Sequence, residues 1–202
     1  MRPGRISIYR YIRDLIMNKT AIITASQNAF HQLSEKGLEI SESDFFKSSD
    51  GKWSVAENFR HLVLSTSTST LAFQLPRILL RWVGGTPNRS SRTYEELLAK
   101  YKQKLDNGGK ASARYVPKNL PGSQSGSQAE KDGLKRAILY KWNKVSANFI
   151  FALNTRRTEE DLDHYLVRHP LLGRITLREL GYFTIFHTLH HLESIKKIST
   201  KI

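Results

Sequence analysis

His187 and His191 stand one helical turn apart on a stripe that is otherwise apolar: Leu180, Phe183/Thr184, His187, His191, Ile195 and Ile198 recur every three or four residues. At i, i+4 on a helix both rings project from the same side, so the two imidazoles can converge on one cation. A shared divalent ion would satisfy one nitrogen of each ring, whereas two buried imidazoles without partners are costly. The spacing alone leaves the pair open, because hydrogen-bonded core histidines and pairs on a solvated helix face share it. The pair lacks the glutamate of His-Glu-x-x-His and so does not support a zincin-type protease. Nor does the chain carry the paired Glu-x-x-His helices of a di-iron bundle. His190 lies about 100° round the helix from the stripe; it either rims the site as a neighbour of the ligands or sits on the helix flank. His31, His164 and His169 read as structural or solvent-exposed.

The elements that must position this pair are helices. Four long helical patterns account for most of the chain, with one irregular middle, so the fold class is all-α. The first runs from about Lys19 to Lys36, with Ile22, Ile23, Ala29, Phe30 and Leu33 apolar, followed by a connector bearing Phe45 and Phe46 and a Ser49-Asp50-Gly51 turn. The second starts at Ser54, whose capping box with Glu57 precedes Val55, Phe59, Leu62, Thr66 and Phe73. It contains the run Ser65 to Thr70, whose hydroxyls can bond back to carbonyls one turn earlier, and Pro76 kinks or ends it. A short extra helix, Tyr94 to Leu105, is expected between Gly84-Gly85 and a surface loop around Pro117, Pro121 and Gly122 to Gly126. In the third bundle helix, Ser127 to Leu153, the residues Leu134, Ile138, Trp142, Val145 and Phe149 form an amphipathic stripe. A connector from Asn154 to Gly173 leads to the last helix, capped by Thr176 with Glu179 and running to Ile198. No strand pattern stands out.

Composition narrows the class of protein. The 202 residues, 39% hydrophobic and 25% charged, suit one globular domain. The complete lack of cysteine excludes disulfides, thiolate metal ligands and cysteine nucleophiles together; it fits a reducing compartment, and a cytoplasmic location is expected. No run of 18 apolar residues is present, so no membrane span is expected. Residues 1–16 carry Arg2, Arg5, Arg10 and Arg13 against Asp14 and are expected to be a basic extension, disordered or ahead of a true start at Met17, with the domain occupying 17–202. The net charge is +14. Ten basic residues between Arg77 and Lys118 face only Glu95, Glu96 and Asp106. Such a patch can meet nucleic acid, an anionic membrane or an anionic substrate. No aromatic-interleaved RNA motif accompanies it, which favours a solvated basic surface.

The segment Gly51-Lys-Trp-Ser-Val-Ala-Glu-Asn-Phe-Arg-His61-Leu resembles the Trp-Ser-x-x-Glu-x-x-x-His-Leu signature of the DinB family. Downstream, His169-Pro-Leu-Leu-Gly173-Arg-Ile-Thr176 and Phe186-His187-Thr-Leu-His190-His191-Leu resemble that family's final helix and its approach. The resemblance implies an antiparallel four-helix bundle and a divalent metal held by His61, His187 and His191; only the resemblance recruits His61. Zinc, nickel, iron and copper all suit imidazole donors. Ser194 departs from the glutamine that relatives often carry there. Glu57 is a candidate acceptor for the free ring N–H of His61, with its capping-box role as the competing and slightly favoured reading, and Trp53 reads as a hydrophobic anchor.

Three neutral histidines leave an open coordination position, as in catalytic metal sites. Two reaction types follow: hydrolysis, or attack by a thiolate. The resemblance tilts toward the second, because relatives include bacillithiol and mycothiol S-transferases, which implies a low-molecular-weight thiol as co-substrate; other relatives are assigned as hydrolases. It also implies a small-molecule substrate and a homodimer. A basic rim suits an anionic substrate, with Arg77, Arg81 and Arg92 as the expected contacts. The rival reading is a non-enzymatic, metal-stabilised module whose basic surface contacts nucleic acid.

Overall fold

The computed structural model describes residues 16–48, 51–110, 112–117 and 126–199. Of the expected basic extension only Ile16 falls among them, and part of the Ser49-Asp50-Gly51 turn and of the loop after Pro117 lies outside. Four long helices form the bundle: α1 (Lys19–Glu39), α3 (Val55–Gln74), α6 (Gln128–Arg156) and α8 (Leu177–Ser199). Between them lie α2 (Glu42–Phe46), α4 (Arg77–Gly84), α5 (Tyr94–Asp106), a short 3-10 turn at Ala113–Tyr115, and α7 (Glu159–His164). The expected capping boxes form. The Ser54 hydroxyl accepts from the Glu57 N–H at 3.2 Å while the Glu57 carboxylate accepts from the Ser54 N–H at 2.7 Å, and Thr176 and Glu179 do the same at the start of α8.

α1 packs on α6 and α8, and α3 packs on the same two helices. Contacts along the seams give the directions. Asn58 meets His191 and Ser65 meets His187, so α3 and α8 are antiparallel. Lys19 reaches Asn154 and Ser34 reaches Asn143, so α1 and α6 are antiparallel as well. Phe59 lies against Trp142, Phe73 against Phe149, and the Arg157 guanidinium donates to the Leu75 carbonyl, so the neighbours α3 and α6 run in the same direction. A helix of 20 residues is about 30 Å long, and the chain must retrace that length between the end of α3 and the start of α6. The long middle segment is this crossover.

The apolar core is centred on α1, α3 and α6, where Phe30 meets Trp142 at 5.3 Å and Phe149 at 5.6 Å in edge-to-face contacts. The α3 run of hydroxyls behaves as expected: Thr68, Ser69 and Thr70 donate to the carbonyls of Leu64, Ser65 and Thr66. The structure adds a two-stranded sheet where no strand was expected. β1 (Leu166–His169) pairs antiparallel with β2 (Gly173–Thr176), Val167 opposite Ile175 and His169 opposite Gly173. Four residues per strand are too few for alternation to be read, and Gly173 turns the chain at φ +74°. Gly84 explains itself against the same hairpin: a Cβ there would lie 1.6 Å from the Leu166 carbonyl oxygen, so only glycine lets α4 dock on β1.

The crossover is fastened to α8 by charge. Glu179 is fully buried, and its carboxylate accepts two bonds from Arg89 at 2.7 and 2.9 Å, two longer ones from Arg92, and backbone N–H bonds from Arg92 and Thr176. Burial alone would raise the Glu179 pKa; the Arg89 guanidinium and these N–H groups outweigh it, and the pKa is lowered. A lowered carboxylate pKa contributes stability that is complete above the unfolded value and is lost as pH falls through the folded one. Glu179→Ala is therefore expected to destabilise the fold by about 3 kcal/mol at neutral pH. In urea unfolding followed across pH 2 to 7, its deficit against the parent protein should shrink on the acid side.

Candidate metal centre

The capping box fixes where α3 begins, and hence which side chains face α8. Asn58 and His61 follow Ser54 by four and seven residues, and Ser65 extends the same face by another turn. From α8, His187 and His191 meet them. His61, His187 and His191 are 4%, 6% and 7% exposed. Their Nε2 atoms turn toward one another: His187 Nε2 lies 3.0 Å from that of His61 and 3.1 Å from that of His191. One ligand atom from each ring falls within 4.8 Å of the others, a grouping that could hold a metal ion.

Hydrogen bonding on the far side of the rings sets their tautomers. His61 Nδ1 lies 2.7 Å from the Tyr115 carbonyl, which can only accept, so Nδ1 carries the proton. His191 Nδ1 lies 2.6 Å from Asn58 Oδ1. The Asn58 amide is oriented by its own Nδ2, which donates to the Ser54 carbonyl at 2.8 Å, so Oδ1 accepts and His191 is the donor. Both rings therefore point bare Nε2 lone pairs at His187 Nε2, and the single proton of a neutral His187 ring can satisfy only one of them. Burial pushes the pKa of all three histidines down, with mutual repulsion adding to it for His187 and His191, so protons do not relieve the clash. A divalent cation does, and the donor set fits one: neutral imidazoles, each with its outer nitrogen held by an acceptor or hydroxyl. The hydroxyl is that of Ser65, 3.4 Å from His187 Nδ1.

Aromatic rings close the cluster from both sides. Trp53 lies 4.9 Å from the His61 ring and stacks over His191 at 6.2 Å, and Phe183 stacks on His187 at 4.8 Å. A cavity of about 250 Å³ opens from the histidines. Its walls are apolar at Tyr101, Leu105, Val167, Leu171, Leu180 and Phe183, and hydroxylated at Ser65, Thr68 and Ser69. Lys110 and Arg168 are its two cations, and no aspartate or glutamate lines it among the described residues.

Several sequence expectations shift. Glu57 does not meet His61: its carboxylate is held by Ser54 and Ser48, and the acceptor for His61 is the Tyr115 carbonyl. His190 is exposed at the cavity rim, 5.4 Å from the His191 ring. His169, expected to be structural or exposed, is structural in that it accepts the Leu171 and Leu172 N–H bonds of the hairpin turn, but it also lies half-buried in the cavity wall against Phe183. The anticipated arginine rim is elsewhere: Arg77 pairs with Asp161, Arg92 pairs with Glu179, and Arg81 shares a shallow surface depression with Ile78 and Trp82. Asn58 escaped the sequence reading although it lies one turn from His61 on the same face. The Tyr115 carbonyl had no signal to find, because every residue carries one.

The family model described as the DinB superfamily matches residues 24–195. Among solved structures, the chain is similar to one described as "YfiT from Bacillus subtilis is a probable metal-dependent hydrolase with an unusual four-helix bundle topology", at 17% identity and a TM-score of 0.54, covering 100% of this chain and 93% of that one. No curated protein matches the chain.

In metal-free protein, long-range ¹H–¹⁵N spectra of the imidazoles should show His61 and His191 as Nδ1–H tautomers. Asn58→Ala should release His191 from that form and leave His61 in it.

Proposed function

The chain belongs to the DinB superfamily, and from that premise we propose that it is a divalent-metal-dependent hydrolase of small anionic molecules, with His61, His187 and His191 as the metal ligands. The observation that carries this reading is the pair of bare Nε2 lone pairs on His61 and His191, both aimed at a third buried imidazole whose one ring proton can satisfy only one of them. Three such donors leave a coordination position for water or substrate. A divalent cation held there supplies Lewis acidity and brings the pKa of a coordinated water or thiol toward neutrality. The chain's own residues do the rest. Tyr115 and Asn58 hold two rings in register, Trp53 and Phe183 flank the cluster, and Lys110 and Arg168 draw an anion into a cavity that has no opposing carboxylate among the described residues.

A second reading is transfer of a low-molecular-weight thiol, and it is favoured by a cavity lined by no carboxylate among the described residues. Hydrolysis gains from a general base beside the water, whereas a thiol loses its proton beside a cation without one. The chain has no cysteine, so that thiol would be a co-substrate.

Elemental analysis of purified protein should find one divalent ion per chain. His61→Ala or His187→Ala should abolish it, and Asn58→Ala should weaken it by about 10- to 100-fold. A screen of anionic esters and amides, and of thiol consumption with an electrophile, should give turnover that a chelator removes and the metal restores. Neutralising Lys110 and Arg168 together to glutamine should raise KM several-fold with little change in kcat. A protein without metal, retained on DNA in a steeply salt-dependent way that the histidine variants leave alone, would overturn the enzymatic reading in favour of a nucleic-acid-binding module.

A further inference from the structure

His169 is placed by the hairpin, not by the bundle. It ends β1, and its Nδ1 accepts backbone N–H bonds from both Leu171 and Leu172 at 3.2 Å, closing the turn that leads into β2. Two donors on one nitrogen fix it as an acceptor, so the ring proton belongs to Nε2. Burial keeps the ring in this neutral form by pushing its pKa down to about 4. Nε2 has no hydrogen-bond partner among the described residues, and the ring lines the same cavity as the three clustered histidines, separated from His187 by Phe183. Ser112, also in the cavity wall, has a buried hydroxyl without a partner. A buried polar group is ordinarily satisfied, so the Ser112 hydroxyl, together with the accessible donor that His169 presents in the same cavity wall, marks where a ligand supplies a partner.

We propose that the Nε2–H of His169 is a fixed hydrogen-bond donor for an anionic oxygen, of the carboxylate class, on the molecule bound in this cavity. The inference rests on the reading of the cavity as a substrate site and adds to it the atom that orients the substrate. The apolar wall of Leu105, Val167 and Leu171 takes the ligand's carbon chain, and Lys110 and Arg168 at the same cavity match its charge. A donor that cannot turn into an acceptor also discriminates: it holds an oxygen and turns away an ammonium or amide N–H.

Two substitutions separate this role from the structural one. In His169→Asn the side-chain oxygen takes the place of Nδ1 and can accept from Leu171 and Leu172, as in an Asx turn, while the distal donor is lost. In His169→Gln the amide nitrogen takes the place of Nε2, while the turn acceptor is lost. Butyrate is the probe, with butylammonium as control, titrated into full-length, metal-free protein and followed by amide and imidazole NMR. Butyrate should move the His169 Nε2–H resonance saturably and butylammonium should not. His169→Asn should keep the melting temperature and bind butyrate about tenfold more weakly. His169→Gln should melt lower and bind within a factor of three of the parent. Equal affinity in parent and His169→Asn, or a butyrate response that bypasses the His169 ring, overturns the inference. The same titration on zinc-loaded protein keeps the two readings apart, because failure to load zinc sinks the metal reading and leaves the His169 comparison intact.

Discussion

Imidazole nitrogens that have given up their protons to outside acceptors cannot satisfy one another, and this constraint organises the α3/α8 seam. The Tyr115 carbonyl and the Asn58 amide each claim a ring proton, and the lone pairs left behind all face the same small volume. An apolar seam would have been simpler to build and cheaper to hold. What the fold maintains instead is a strong, localised demand for positive charge, set between Trp53 and Phe183 at the wall of the cavity.

That demand depends on the bundle not being a simple up-and-down one. Since α3 and α6 are codirectional neighbours, the chain has to travel back along the bundle, and its return path lies over the α3/α8 seam. The path supplies Tyr115 to His61, Tyr101 against Phe183, and Lys110 to the cavity. Arg89 and Arg92 secure it to buried Glu179. Part of the excess positive charge in the middle of the chain is thus a fastening and not a binding surface; arginine suits the task because its planar fork fits a carboxylate at two points.

The helices were legible in the sequence because their signals are local and repeated. Capping boxes and three-to-four spacing fixed the bounds of α3, α6 and α8 to within a few residues, and the His187/His191 pair lay on the stripe that those bounds imply. His61 needed a resemblance, since nothing in local spacing links it to a helix 126 positions away. What stayed hidden depends on backbone atoms or on distant partners. The Tyr115 carbonyl has no residue type to announce it. The Glu179 ion pairs join residues some 90 positions apart, so Arg89 read locally as part of a solvated basic surface and Arg92 as a contact for an anionic substrate. The hairpin was too short for its alternation to register, and with it went the placement of His169.

The codirectional pairing of α3 with α6 also bears on how the chain reaches its native state. A bundle whose neighbours are joined by tight turns gains most of its contacts between residues close in sequence and folds quickly. Here the α3/α8 seam joins segments more than a hundred residues apart, and the intervening crossover must settle before the seam is covered. The relative contact order is raised accordingly, and folding should be slow for an all-helical domain of this size. During synthesis α3 emerges with His61 and Asn58 on an unpaired face, and it waits for nearly the whole of the remaining chain before α8 arrives to complete it.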